Sequence, residues 1–276
     1  MKNFCILNGE LENIDKLHIC PPFVHTESIR QTIRLYDTVA LCLAQHLQRM
    51  QTVADYLNIQ LPENFDTEHV RRYIYRLLNV NKVYLAGCCE LIIFWDAGTN
   101  TTQFAILIQP IEPREYQFNN VGLKIGICGN IRIDEPYFPC SYSKHSLHED
   151  LLRIHSIEST DAMCYLDEKK EILTTSKGNV VYIEDDTLHV TINEFTEPFS
   201  LGFFEHIKRN GWKIEEHTTI QKEHLFNCKE LFLVGQFIGL QWICRTTDEN
   251  GKTSSFSYKQ AKNLFFELQK YVAMRG

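Results

Sequence analysis

Several things are missing from this 276-residue chain, and each absence closes a class of function. No apolar run reaches membrane-spanning length, and the first residues lack the basic-then-apolar pattern of a secretion signal. Positive charge is not in excess. Lysine and arginine number 28 against 35 aspartates and glutamates, and the net charge of −7 gives no general attraction to nucleic acid or to an anionic membrane. Ten cysteines are present, yet no C-x-x-C pair occurs among them. They are scattered, and several sit in apolar stretches such as Ile125-Gly126-Ile127-Cys128, where a thiol behaves as a small hydrophobe. Buried, reduced thiols are therefore expected, with no metal site and no disulfide framework. Internal repeats and low-complexity tracts are also lacking. These absences predict a cytoplasmic protein with neither a membrane nor a nucleic-acid partner.

What is present suits an ordinary globular α/β protein. Hydrophobic residues make up 44% of the chain, enough for a sizeable core, and the length allows one large domain or two of usual size. Phe4–Leu11 reads as a strand reaching a turn, and Ser28–Tyr36 is ambiguous between helix and strand. Leu43, Leu47, Met50, Val53, Ala54 and Leu57 recur at helical spacing, so an amphipathic helix is predicted over 41–57. A second helix is predicted over 67–79. Strands at 83–96 and 101–111 follow, with Ala97-Gly98-Thr99-Asn100 as the hairpin turn. Pro110–Tyr116, with two prolines and three charges, reads as a linker, which divides the chain into domains 1–114 and 115–276. The second half opens on a strand at 122–133, and a helix is expected after Lys144. Strands are expected at 161–167, 170–174, 179–184, 187–192, 212–217 and 230–234. Helices are expected from Ser200 to the Asn210-Gly211 cap and from Ser257 onward.

The residues that could carry chemistry form an ordered series. Arg49 stands in His46-Leu47-Gln48-Arg49-Met50. Lys144 stands in Ser141-Tyr142-Ser143-Lys144-His145. A strand–turn–strand follows in Glu171–Tyr182, and Glu230-Leu231-Phe232-Leu233-Val234-Gly235 comes later. In order and spacing this series resembles the class IV aminotransferase family, the fold-type IV enzymes dependent on pyridoxal 5′-phosphate (PLP). Branched-chain and D-amino-acid aminotransferases and aminodeoxychorismate lyase belong to it. The resemblance implies a two-domain α/β (α+β) architecture with the cofactor at the domain interface, and a homodimer.

By the same resemblance Lys144 is the catalytic lysine. It would form the aldimine and shuttle the substrate α-proton, and it stands 35 residues before Asn179. Arg49 would grip the cofactor phosphate with its fork of donors. Asn179, Gln236 and Phe237 would line the cofactor, with Gly235-Gln236-Phe237 as a phosphate-binding turn. Thr174 occupies the position where the family keeps a glutamate on the pyridine nitrogen. A hydroxyl hydrogen-bonds that nitrogen without holding a proton on it, so elimination is favoured over reversible transamination. Other positions depart as well. The family's Gly-Ile-Thr-like phosphate turn falls on Glu197-Pro198-Phe199-Ser200, the small residues after Gly235 are Gln236, Phe237 and Ile238, and the N-terminal Tyr/Gly-rich signature is Phe23–Glu27. Two functions are thus expected. The leading one is a PLP-dependent lyase or aminotransferase acting on an amino acid or amino-carboxylate. The other is a degenerate scaffold of the same fold without PLP catalysis, acting by binding or interaction.

Weaker features carry bland expectations. His145, His148 and His155 with Glu149 read as a solvated helix face, because no third metal ligand has suitable spacing. Arg71, Arg72 and Arg76 read as solvated charge. Asp185-Asp186 reads as a hairpin turn, and Trp95 and Trp242 as core or interface residues.

Overall fold

A computed structural model describes residues 4–14, 28–96, 100–132, 142–143 and 160–275. They fall into two compact units. One holds the residues up to Glu115 with 142, 143 and 275, and the other holds the remaining ones from Tyr116 to Met274.

The first unit is a seven-stranded antiparallel sheet with two helices. Its strands are β1 (Phe4–Leu7), β2 (Glu10–Asn13), β3 (Ser28–Tyr36), β4 (Val39–Ala40), β5 (Ala86–Asp96) and β6 (Thr101–Pro110), in the order β2-β1-β6-β5-β3-β4. Strand β8 (Tyr142–Ser143) pairs with β3. The ambiguity at Ser28–Tyr36 resolves as strand. Ile29, Gln31, Ile33 and Leu35 alternate onto one face, and β3 pairs with β5 along its whole length. The expected Phe4–Leu11 strand is instead a hairpin, turned at Asn8 (φ 52°) and Gly9 (φ 92°) as a two-residue turn requires.

Helices α1 (Leu43–Tyr56) and α2 (Thr67–Asn81) lie on the face carrying Ile29, Ile33, Leu91, Ile93 and Ile106. The stripe of α1 read from the sequence is buried as expected: Leu43, Leu47, Met50, Val53 and Ala54 all enter this core. Each larger side chain contributes about 1.5–3 kcal/mol. Asp66 caps α2, accepting from the backbone N–H groups of Glu68 and His69. Arg71, Arg72 and Arg76 are exposed on α2.

The second unit is a mixed nine-stranded sheet. Its strands are β7 (Leu123–Arg132), β9 (Ala162–Leu166), β10 (Ile172–Thr175), β11 (Asn179–Glu184), β12 (Thr187–Thr191), β13 (Ile214–His217), β14 (Glu230–Gly235), β15 (Gly239–Asp248) and β16 (Thr253–Ser255). The order is β10-β9-β7-β15-β14-β11-β12-β13, with β16 on β15. Asp185 (φ 46°) and Asp186 (φ 59°) form the two-residue β11–β12 turn, where their short side chains tolerate the left-handed region.

Helix α4 (Lys222–Asn227) packs Leu225 onto one face of this sheet, with Tyr182, Ile220 and Leu231. Helices α3 (Pro198–Arg209) and α5 (Ala261–Ala273) pair through Phe199, Phe203 and Tyr271, whose rings lie 5.6 and 6.0 Å apart across the helices. Two helix starts need correction here. Helix α3 starts at Pro198 rather than Ser200, because proline at the first turn loses no helical bond. The terminal helix starts at Ala261 rather than Ser257, since Ser257 bridges to Glu230 and donates its N–H and hydroxyl to the Lys229 carbonyl. Strand β15 and helix α4 were not expected at all.

Trp242 on β15 is a core residue at 6% exposure, while Trp95 is 54% exposed and belongs to no core. All seven described cysteines are free thiols, but the expected burial holds for three of them, while Cys42, Cys88, Cys228 and Cys244 are partly exposed. Cys5, Cys89 and Cys164 are buried free thiols, and burial pushes Cys164 up to about 12, so it stays protonated and inert. Among the described residues no helix is long and apolar enough to cross a membrane.

Candidate active site

In the second unit four segments converge on one spot. Strand β10 ends in Thr174 and Thr175, and the chain turns through Ser176, Lys177 and Gly178 into β11. The Thr175 hydroxyl donates to the Gly178 carbonyl at 2.7 Å and accepts the Lys177 N–H at 3.3 Å, which fixes the turn. Thr174, 7% exposed, directs its hydroxyl to the same carbonyl at 3.4 Å. The turn lies directly on the end of β14. A Cβ on Gly178 would stand 2.3 Å from the Val234 carbonyl, and one on Gly235 would stand 2.4 Å from the Lys177 carbonyl. Only glycine fits at either place.

Asn179 is fully buried. Its amide donates to the Thr196 hydroxyl at 3.0 Å and to the Thr191 carbonyl at 3.4 Å. The Thr196 hydroxyl also accepts the Asn193 N–H, and Asn193 in turn donates to the carbonyls of Leu173 and Thr218. This network holds the loop that delivers Glu197 and Pro198 to the start of α3. The third segment is that helix start, pinned to β14 by the Ser200 hydroxyl, which donates to the Val234 carbonyl at 3.1 Å. The fourth is the β14–β15 turn. The Gln236 carbonyl accepts the Tyr116 hydroxyl at 2.6 Å, and the Gln236 side chain is 4% exposed. Phe237 beside it is 36% exposed.

Gln236 and the start of α3 meet through one contact. The Gln236 N–H donates to a Glu197 carboxylate oxygen at 2.7 Å. A helix N-terminus and an adjacent turn N–H make a natural anion seat, because orphan donors and the helix dipole favour negative charge there. The anion in this seat is the chain's own carboxylate. Helix α3 receives no side-chain cap from Glu197, whose carboxylate reaches across to the neighbouring turn instead. Pro198 supplies no N–H, and the Ser200 hydroxyl is committed to Val234. A cofactor phosphate placed here would compete for the Gln236 N–H and lie against a like charge. The backbone framework suits a phosphate, and the Glu197 carboxylate would have to give up the Gln236 N–H for one to bind.

Of the residues singled out from the sequence, Thr174, Asn179 and Gln236 are brought together, with Phe237 next to Gln236. Lys144, the helix expected after it and Phe23–Glu27 lie outside the described residues. Arg49 sits in the other unit on α1, half-buried. One helical turn before it, His46 is fully enclosed and shares a 2.6 Å hydrogen bond between its Nδ1 and the Gln31 Oε1. Burial first, and then the Arg49 charge, pushes the His46 ring down to about 3. It is a neutral anchor between α1 and β3. Thr196 and Asn193 were missed as site residues, and Glu197 was read only as part of an altered phosphate turn, although Asn193 and Thr196 ahead of Glu197-Pro198 are a legible helix-start signal.

Residues 29–245 match the family described as amino-transferase class IV. A search of curated proteins finds no match. Among solved structures the chain is similar to the branched-chain aminotransferase of Thermoproteus uzoniensis with norvaline. They share 12% identity and a TM-score of 0.82, over 100% of this chain and 96% of that one. The branched-chain amino acid aminotransferase of T.th. with pyridoxamine 5′-phosphate gives 15% and 0.80, over 100% and 95%. That of Escherichia coli gives 16% and 0.77, over 100% and 95%. The fold is that of these branched-chain aminotransferases.

Proposed function

The chain belongs to the class IV aminotransferase family, and from that premise we propose a PLP-dependent enzyme of the aminodeoxychorismate lyase or aminotransferase type, acting on an amino acid or amino-carboxylate. In this reading Lys144 would hold the cofactor and move the substrate α-proton, and Arg49 would hold the cofactor phosphate. Thr174 would be the partner of the pyridine nitrogen, and Asn179, Gln236 and Phe237 would line the seat. The cofactor supplies an electron sink when bound. With a neutral hydroxyl at Thr174 in place of an anion, that sink is weak, so lyase chemistry is favoured over reversible transamination. The working form is a cytoplasmic homodimer of chains with domains 1–114 and 115–276.

The observation that carries this reading is the convergence of the Thr174–Asn179 turn with the α3 start and the Gly235–Gln236 turn. By the resemblance, these segments would form the ring and phosphate ends of the cofactor site. The structures bearing pyridoxamine 5′-phosphate and norvaline support the cofactor and the amino-acid substrate class. The test is colour and labelling. Protein supplied with PLP should show a visible band, and borohydride should then fix a pyridoxyl group on the Lys144 peptide. A label on another lysine refutes the assignment of Lys144.

One contact favours a second reading, the scaffold without PLP catalysis. Glu197 holds the Gln236 N–H that a phosphate would need. On that reading neither colour nor label appears at any PLP concentration.

A further inference from the structure

On the face of the second sheet opposite Asn179, three side chains converge at the β12–β13 edge. Strands β12 and β13 run parallel, with His189 opposite Glu215 and Thr191 opposite His217. Side chains alternate along a strand, so Glu215 and His217, two residues apart, project from the same face as His189. Tyr182, paired with His189 on β11, lies three residues from Asn179 and so on the other face from it. The Nδ1 of His189 and the Nε2 of His217 are 2.9 Å apart. The Glu215 carboxylate oxygens lie 3.8 Å from the first and 3.7 Å from the second.

The rings are held for this encounter. Tyr182 stacks on His189 at 4.6 Å and 9°, and His217 stacks on His189 at 5.2 Å and 20°. From above, His224 on α4 stacks on Tyr182 at 5.9 Å, with Glu184 3.7 Å from its Nδ1. His189 is nearly enclosed at 12% side-chain exposure, His217 is half-buried, and Glu215 at 60% is free to swing inward.

We propose that His189, Glu215 and His217 form a binding site for a divalent transition-metal ion of the zinc class. Two neutral imidazoles and one carboxylate are a borderline nitrogen–oxygen donor set, which suits zinc and its neighbours rather than calcium or magnesium. Around a four-coordinate ion with bonds of about 2.0–2.1 Å, ligand atoms stand roughly 3.3–3.5 Å apart. The three separations here straddle that value, so shifts of a few tenths of an ångström close the site. Two facing imidazole nitrogens need a proton between them, and an ion replaces that proton while each ring carries its hydrogen on the other nitrogen. Three protein ligands leave a position for water. The ion clips the short edge strand β13 to β12, at a place apart from the candidate active site.

The experiment titrates the full chain, stripped with a chelator, with zinc against a chromophoric competitor, and then with cobalt. One ion per chain should bind, at about micromolar affinity or tighter. His217→Ala should weaken binding by more than roughly tenfold, and Glu215→Gln by less, with melting curves showing both variants folded. Because Glu215 is exposed, Glu215→Gln keeps the test valid if the histidine variant does not fold. Three results overturn the proposal: no binding by the unaltered chain, undiminished binding by the folded variants, or a cobalt spectrum with a thiolate charge-transfer band, which would place the ion on cysteine.

Discussion

Replacing Glu197 with glutamine keeps the shape of the side chain and removes its charge, so it isolates what the carboxylate does in the anion seat. The Glu197–Gln236 contact at 2.7 Å is a charge-assisted hydrogen bond, a class worth roughly 1.5–3 kcal/mol. The amide oxygen of Glu197→Gln still accepts from the Gln236 N–H, so folding should lose only about 1 kcal/mol. The effect on an incoming anion is larger. A carboxylate and a phosphate charge about 4 Å apart repel by about 4 kcal/mol at an effective dielectric constant of 20. Glu197 is half-buried, and solvent screening reduces this to about 1.5–3 kcal/mol. At 1.4 kcal/mol per tenfold, phosphate should bind Glu197→Gln about 10- to 100-fold more tightly than the unaltered chain. Calorimetry with inorganic phosphate, PLP and unphosphorylated pyridoxal reads this directly. Inorganic phosphate has no aldehyde and reports the seat without Lys144. Equal phosphate affinity in both proteins would refute the reasoning, and so would a gain as large for pyridoxal as for PLP.

Two further outcomes follow from the first unit. Arg49→Ala should weaken PLP affinity at least tenfold, since a guanidinium on a phosphate contributes bonds of roughly 1.5–3 kcal/mol each, while a melt shows folding little changed. Unchanged affinity would return Arg49 to an ordinary helix arginine. The buried His46 ring, held down to about 3, must take up a proton when the chain unfolds below about pH 6.5. The unfolded state then binds more protons than the fold, so this contribution is complete above pH 6.5 and is lost as the pH falls toward 3. The largest possible change is about 5 kcal/mol at 1.36 kcal/mol per pH unit. Urea melts at pH 7, 5.5 and 4.5 should show His46→Asn less stable at pH 7 but shallower in its acid decline.

Legibility in the sequence followed where each element's neighbours lie. Helices α1 and α2 could be read because their partners are one apolar face each, and periodicity records a face. The Asp185-Asp186 turn could be read because its chemistry is local. Strand β15 could not, although Leu240, Trp242, Cys244 and Thr246 do alternate. Its pairing with β7 joins residues more than a hundred positions apart, which no local pattern records. The site was legible as a set of segments, through the family resemblance, but its electrostatic state was not. That Glu197 reaches Gln236 depends on how Asn179, Thr196 and Asn193 hang the loop between β12 and α3. The His189–Glu215–His217 cluster needed the parallel register of β12 and β13, which no local pattern records.

The mutual approach of Gly178 and Gly235 also bears on how this protein can change over generations. Neither position admits even a methyl group without pushing two main chains apart. The floor of the anion seat is therefore closed to variation, whatever ligand is selected for. Drift and selection are channelled into the few side chains on its rim, Glu197 and Gln236 foremost. A single nucleotide change in the Glu197 codon, giving glutamine or glycine, alters the charge of the seat while the framework beneath it stays as it is. Gain and loss of anion binding in this lineage would then be short steps, reversible in sequence and nearly silent in fold.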